Sequence, residues 1–234
     1  MTNVFQYFSF GILILICIAC NTEESITKTQ ININSNTTLT KKTITPLADS
    51  FFIELNQNST AEYQVTETFA DVPNPVKAIG KTKNISGEIK FENNQLNSNL
   101  STIKIDLRKL TSDSERRDNY IKKRTLDTSN YPYAIFRIDS ITGLPLPFVS
   151  GNYENIIIKG NLKIKDIESS TLWKGNINIK DNNITSGKFK TTISFDQFKL
   201  TKPLTFRVIS VENEFDLIIN FNSKIKSEDT TQIN

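Results

Sequence analysis

The residue types best able to do chemistry in this sequence are a basic cluster and a few carboxylates. An arginine pair, Arg116 and Arg117, could hold a diphosphate or carbonyl head group. Alternatively, Arg117 and its neighbour Asp118 lie on a solvated helix face. The carboxylates have no adjacent nucleophile or metal motif, so the sequence predicts a binding protein rather than an enzyme, with no catalytic residue, metal or cofactor. The other basic residues are Lys122, Lys123 and Arg124, and the other acids are Glu67, Glu212 and Glu214.

Several chemistries are excluded by composition. The chain of 234 residues contains no histidine, which removes the commonest general base and zinc ligand. Its only cysteines, Cys17 and Cys20, lie near the N-terminus, so the rest of the chain has no disulfide and no thiol nucleophile. A net charge of +3 with no dense basic stretch in the mature chain predicts that nucleic acid is not a partner.

The N-terminus predicts export. An apolar run, FSFGILILICIA, covers residues 8–19, which suits a signal peptide and is too short to span a bilayer. It ends at Ala19-Cys20, which resembles a bacterial lipobox and predicts lipidation of Cys20. A plain cleaved signal and an uncleaved anchor are the alternatives. We therefore expect a lipid-anchored protein of the cell envelope (periplasm or outer surface), with a signal peptide at 1–20, a flexible polar tether at 21–50, a folded domain at 51–226 and a disordered tail at 227–234.

The folded domain is predicted to be all-β. Apolar residues alternate with polar ones, as in Ile103, Ile105 and Leu107 around Lys104 and Asp106, which is the period of half-buried antiparallel strands. Similar segments recur about eight times between turn signals, which indicates a barrel or a sandwich. One segment differs: the spacing of Ser112 and Glu115 is that of a capping box, and helix can continue from 116 to about 125.

The order of several motifs resembles the YceI family. Ser114 to Tyr120, then Leu126 and Tyr131-Pro132, is similar to that family's helix-to-strand signature. Two later motifs of the family are similar to the strand at 160–164 and the segment at 210–213. Its early glycines correspond to Gly80 and Gly87. The sequence departs from the family pattern at Lys163 and at the turn 166–168.

This resemblance implies an eight-stranded antiparallel, lipocalin-like barrel with one short helix in a connection. It also implies a tunnel for a long isoprenoid, such as a quinone or a polyprenyl lipid, held by a carrier, store or sequestering protein that is a monomer or a homodimer. The alternatives are that the inward apolar rows are only core, and that the domain is a surface module for adhesion or for glycan or protein binding. The predicted ligand-binding residues are Ile103, Ile105, Phe136, Ile138, Ile158, Leu162, Trp173, Phe189, Ile193, Phe215, Leu217 and Ile219, with Arg116 and Arg117 near the head group.

Overall fold

A computed structural model describes residues 50–180, 183–204 and 206–227. The predicted signal peptide, Cys20 and the predicted tether up to residue 49 lie outside the described residues, as does the predicted tail beyond Ser227. The strands are β1 (Ser50–Leu55), β2 (Thr60–Phe69), β3 (Val76–Thr82), β4 (Ile85–Glu92), β5 (Gln95–Leu96), β6 (Thr102–Asp106), β7 (Thr111–Ser112), β8 (Tyr133–Thr142), β9 (Gly151–Ile164), β10 (Ile167–Lys180), β11 (Asn183–Ser194), β12 (Val208–Val211), β13 (Glu214–Phe221) and β14 (Ile225–Ser227).

These segments form one antiparallel barrel. β1 and β2 are two parts of a first barrel strand, β3 and β4 of a second, and β12 and β13 of the last. Between them, β6, β8, β9, β10 and β11 supply the other five strands, each paired with the next along the chain. The last strand returns to the first, with Leu217 opposite Tyr63, and this pairing closes the ring. The prediction of an antiparallel barrel is confirmed; the strand count differs, because breaks in the longer strands and three short additional strands divide the sheet into fourteen.

The first two barrel strands form a long hairpin that bends in the middle. Near the hairpin turn, β2 pairs with β3, with Ala61 opposite Thr82. At the open end, β1 pairs with β4, with Leu55 opposite Gly87. Gly87 has a φ of +145°, and a side chain there would collide with the backbone of Thr102 on β6. Only glycine combines this backbone conformation with such a close approach, so Gly87 allows the barrel wall to bend.

Burial follows the predicted period of two. On β9, Ile156, Ile158 and Leu162 are buried and Lys159 is exposed. Ile218 departs from this pattern, because it alternates with the inward residues of β13 and yet is 5% exposed. Its direct neighbours across the sheet are Lys190 and Glu62, whose long aliphatic stems can cover an outward isoleucine.

The predicted helix is present and ends at Thr125 as predicted, but its N-cap differs and its last turn is π-helical. Helix α1 covers Glu115–Tyr120 and continues as a π-helical turn, Ile121–Thr125. Its N-cap is Ser114, whose side chain accepts a hydrogen bond from the backbone N–H of Arg117, rather than Ser112 as the spacing predicted. Ser112 instead lies in β7, and a 3₁₀ turn, Leu107–Lys109, precedes that strand. None of the helices in the part of the chain that is described is long and apolar enough to cross a membrane.

Candidate functional site

An apolar cavity lies inside one half of the barrel. Its volume is about 110 Å³, and apolar atoms form its lining. Mainly inward residues of the strands form its wall, joined by Glu62 and Ile218 from the alternate phase, and the segments 107–126 and 195–203 contribute the remaining lining. The lining residues are Ala61, Glu62, Tyr63, Val65, Ile105, Leu107, Leu110, Ile121, Thr125, Leu126, Ala134, Leu162, Ile164, Trp173, Phe195, Leu200, Pro203, Phe215, Leu217, Ile218 and Ile219.

Two small inward residues help to leave this space. Ala61 on β2 lies opposite Ile219, and Ala134 on β8 lies opposite Ile105. Both alanines are buried and line the cavity. Protein interiors are normally packed to the density of organic crystals, so a methyl group at a position that could hold a phenyl ring leaves room for another molecule.

The helical segment and a loop pack together beside the cavity. The Thr125 hydroxyl donates a hydrogen bond to the carbonyl oxygen of Thr201 over 2.9 Å, and the Tyr120 hydroxyl donates to that of Lys202 over 3.4 Å. Ile121 and Leu200, one from each segment, are buried and line the cavity. We call residues 115–126 and 195–204 the cover. The cover is joined by a few local hydrogen bonds and apolar contacts, whereas the wall is joined by strand ladders.

The predicted ligand-binding residues fall into three groups. One group lines the cavity: Ile105, Leu162, Trp173, Phe215, Leu217 and Ile219. A second group is buried in packed interior outside this cavity: Ile103, Phe136, Ile138, Ile158, Phe189 and Ile193. The third is the arginine pair, in which Arg116 is exposed and Arg117 is half-buried.

Trp173 is held in one orientation at the cavity wall. Its indole N–H donates a hydrogen bond to the Thr171 hydroxyl over 3.1 Å, and its ring lies 5.4 Å from the ring of Phe136. Because the polar atom of the indole is satisfied inside the wall, the ring presents apolar surface to the cavity.

A buried ion pair joins Glu67 on β2 to Arg117 on α1. The Glu67 side chain is 2% exposed, and its carboxylate accepts a hydrogen bond from the Arg117 guanidinium over 3.1 Å. Arg117 also donates to Asp113, whose side chain is 82% exposed. Burial alone would lower the pKa of Arg117, but the carboxylates of Glu67 and Asp113 raise it above its usual value. Arg117 is therefore a paired cation that fixes α1 to the wall.

Asp118 completes this polar cluster. Its carboxylate accepts hydrogen bonds from the Ser112 backbone N–H over 2.9 Å and from the Ser112 hydroxyl over 2.6 Å. We call Glu67, Asp113, Asp118, Arg117 and Ser112 the polar cluster. It contains three carboxylates and one guanidinium, so its formal charge is negative.

Tyr63 lies between the cavity and the polar cluster. Its side chain lines the cavity, and its ring lies against Gly80, where any side chain would collide with it. Burial raises the pKa of Tyr63, with Asp118 and Glu67 adding to this effect, whereas Arg117 and a side-chain hydrogen bond with Ser112 oppose it. The phenol is therefore neutral and keeps its proton as a donor.

The sequence reasoning did not select Tyr63 or Ala61, and it treated Glu67 only as a possible catalytic acid. A signal was present, because Ala61, Tyr63, Val65 and Glu67 share the inward phase of one strand. A glutamate at an inward position requires a buried cation, and Arg117 supplies it. The acids Glu212 and Glu214 are exposed, and no group of three or more metal-binding side chains occurs among the described residues.

Comparisons with known proteins match most of the chain. The model of the YceI-like domain family matches residues 55–223. A polyisoprenoid binding domain from Saccharophagus degradans, implicated in plant cell wall breakdown, has 10% sequence identity and a TM-score of 0.57, covering 76% of this chain and 98% of its own. BcnA from Burkholderia cenocepacia has 15% identity and a TM-score of 0.48, covering 74% of this chain and 99% of its own. None of the curated proteins compared with this sequence matches it.

Proposed function

This chain belongs to the YceI-like domain family, and we propose that it binds the apolar tail of an isoprenoid lipid inside its barrel. The observation that carries the proposal is the cavity inside the barrel, whose lining consists of apolar atoms and includes Trp173. The neighbouring fold in Saccharophagus degradans, described as a polyisoprenoid binding domain, supports the same ligand class. The protein acts as a carrier, a store or a sequestering protein rather than as an enzyme.

The volume of the cavity sets how much of a tail enters without rearrangement. A cavity of about 110 Å³ is close to the size that accepts one benzene-sized group. This corresponds to about one five-carbon isoprene unit. A longer tail therefore requires the cover to move, since the strand ladders of the wall are much harder to open than the few hydrogen bonds of the cover.

Tail burial provides attraction but little selectivity. Each buried CH₂ group contributes about 0.8 kcal/mol, so one isoprene unit contributes roughly 3–4 kcal/mol before ordering costs. A membrane solvates the same tail almost as well. The protein selects its ligand through the fit of the tail under the cover and through the polar atoms next to the cavity.

The test is to fill the cavity. Leu217 lines it and faces Tyr63 across the sheet, so Leu217→Trp should occupy the space and abolish binding of a polyprenyl quinone while the protein stays folded. Leu172→Trp is the matched control, because Leu172 is 46% exposed on the outer wall. Binding is measured by fluorescence titration of delipidated protein and by mass spectrometry of organic extracts. If Leu217→Trp binds as well as the control, the cavity is not the lipid site, and a surface module for glycans or proteins becomes the better function.

We also propose that Cys20 is lipidated and holds the barrel at a membrane of the cell envelope. The supporting feature is the apolar run that ends at Ala19-Cys20. Cys20→Ala should abolish incorporation of radiolabelled fatty acid and release the protein from membranes, whereas Cys17→Ala should do neither. Label in the Cys20→Ala variant would contradict the anchor.

A further inference from the structure

We propose that the barrel end next to the cover docks onto an anionic membrane surface, with Phe206 entering the lipid layer. This contact is made by the folded domain itself, and it depends neither on a lipid at Cys20 nor on what the cavity binds. It starts from a patch of exposed apolar side chains that do not line the cavity. The patch consists of Val72, Val76, Leu204, Phe206 and Ile209, and we call it the apolar tip.

Two loops bring the apolar tip together at one end of the barrel. The backbone N–H of Ala70 donates a hydrogen bond to the carbonyl oxygen of Arg207 over 2.9 Å, and the Arg207 guanidinium pairs with Asp71. Val72 and Phe206 are the chain neighbours of these two paired residues. The loop after β2 and the loop before β12 therefore present their apolar side chains at the same place.

The exposure of these side chains is high. Phe206 is 96% exposed, Ile209 is 61% exposed and Leu204 is 50% exposed. Exposed apolar side chains that occur singly are normal, whereas a group of them marks an interaction surface. Phe206 makes almost no contact with the rest of the barrel, so its partner lies outside the domain.

The charges beside the tip indicate the chemistry of that partner. The helical segment of the cover carries the run Lys122–Arg124, and these cations make no ion pair among the described residues. The hydrogen bond from Thr125 to Thr201 holds this run beside the loop that continues to Leu204. Apolar side chains next to unpaired cations fit an anionic bilayer, where the ring enters the acyl boundary and the cations meet lipid phosphates.

A protein partner fits this surface less well. Protein interfaces depend on complementary shape, and a ring that protrudes without neighbours forms no groove for an anchor residue. A fluid lipid layer needs no such shape. A second copy of the chain docked through the same face would bring the run Lys122–Arg124 towards its own equivalent, and like charges repel.

Docking would place the cover, rather than the strand wall, at the membrane. Leu204 is the last residue of the cover, and Phe206 follows it after one residue. The cover is held by a few hydrogen bonds, such as those of Tyr120 and Thr125. The part of the cavity enclosure that opens most easily would therefore face the lipid.

The test is co-sedimentation with vesicles of an equimolar mixture of phosphatidylglycerol and phosphatidylcholine. It uses the chain from residue 21 onward, which contains every strand of the barrel and lacks both the N-terminal apolar run and Cys20. Phe206→Ser should weaken binding roughly tenfold, because it removes most of the apolar surface that enters the lipid. Lys123→Glu combined with Arg124→Glu should weaken binding at least roughly tenfold and remove the preference over pure phosphatidylcholine.

The matched controls lie on the outer wall of β9 and β10. Leu172→Ser removes an apolar side chain that is 46% exposed, and Lys159→Glu with Lys174→Glu reverses two exposed cations. Both controls should change binding less than about twofold in moderate salt, which screens distant charges.

A second readout locates the ring. The natural chain has a single tryptophan, the buried Trp173, so an added tryptophan on the surface reports on its own surroundings. Phe206→Trp should be quenched by lipids with brominated acyl chains, whereas Leu172→Trp should not.

Three results would overturn the docking surface: equal binding by Phe206→Ser and Leu172→Ser, equal binding of pure phosphatidylcholine and the anionic mixture, or equal quenching of the two added tryptophans. If Phe206→Ser instead abolishes self-association in analytical ultracentrifugation and leaves vesicle binding unchanged, the tip is a contact between proteins and the inference is wrong. Phe206 does not line the cavity, so Phe206→Ser should bind a polyprenyl quinone like the wild type. A failure of docking and a failure of the cavity are thus seen separately.

Discussion

The interior of the barrel has two halves that are packed differently, although the same strands line both. The closed half is built around Phe51, Phe91 and Phe148, whose ring centroids lie 5.0–5.4 Å apart. The cavity half is built around Ala61, Tyr63, Ala134, Trp173 and Leu217. β9 contributes Leu162 to the cavity lining, whereas Ile158 on the same strand is buried without lining the cavity.

The difference shows what strand alternation does and does not determine. An alternating pattern fixes which side chains face inward, but it does not fix whether their summed volume fills the barrel. In the closed half, phenylalanines from β1, β4 and the loop between β8 and β9 meet. In the cavity half, two alanines and a cover made of short segments leave space. Stability should therefore depend mainly on the closed half, and ligand binding on the cavity half.

The largest effect is expected from a charge placed in the packed interior outside the cavity. Ile158→Glu buries a carboxyl group among apolar side chains, so it should lower the free energy of unfolding by more than about 4 kcal/mol. Ile158 is 6% exposed, whereas the adjacent Lys159 faces outward. Lys159→Glu is the control and should change stability by less than about 0.5 kcal/mol. Equal losses in urea denaturation would mean that the two faces of β9 are assigned wrongly.

A large-to-small change in each half tests the comparison directly. Phe91→Ala removes a ring that is 1% exposed and stacks on Phe51, so it should cost about 3–5 kcal/mol. Leu217→Ala enlarges a cavity that already exists around a half-buried side chain, so it should cost about 2 kcal/mol or less and should weaken tail binding. Chemical denaturation and lipid titration of both variants measure the two quantities. The comparison fails if Leu217→Ala is the more destabilising change.

Much of this architecture could be predicted from sequence. The period of two placed Ile105, Leu162 and Ile219 on the inward face, and the capping pattern placed a helix near 115–125. The break between β1 and β2 could not be predicted, because the alternation of apolar residues continues on both sides of residues 56–59. The depth of each inward residue was also hidden, since it depends on the stagger of all the strands around the barrel.

The candidate site was less predictable for a different reason. Its polar part depends on a contact between Glu67 and Arg117, which are 50 residues apart, and no local pattern links them. The residues opposite the buried Ile218, Lys190 and Glu62, likewise come from distant parts of the chain. Such pairings follow from register, which one sequence leaves open wherever several turns are possible.

Arg117 on α1 makes two ion pairs, and their contributions to the free energy of unfolding should differ. Glu67→Gln removes the carboxylate that is almost fully buried and leaves a half-buried guanidinium, so it should cost about 2–3 kcal/mol. Asp113→Asn removes the exposed partner of the same guanidinium and should cost less than about 0.5 kcal/mol. Both variants are compared by urea denaturation. Similar losses for the two would show that Arg117 is held from the solvent side rather than by the barrel wall.

The smallest effect is expected on the outer wall, where neither half of the interior is involved. Asp216 accepts hydrogen bonds from Lys190 over 2.7 Å and from Thr192 over 2.8 Å. Burial raises its pKa, but these two donors outweigh burial and hold the pKa below its usual value.

Because the folded-state pKa lies below the unfolded one of about 3.9, the pair stabilises the protein above that pH, and this contribution disappears as the pH falls through the folded-state value. Asp216→Asn should therefore cost about 0.5 kcal/mol at neutral pH and nothing at strongly acidic pH, with a smaller loss in high salt. The control for the substitution itself is Asp166→Asn in an exposed turn. A cost of Asp216→Asn that stays constant down to strongly acidic pH would show that the carboxylate charge contributes nothing and that the outer wall is held by its backbone ladder alone.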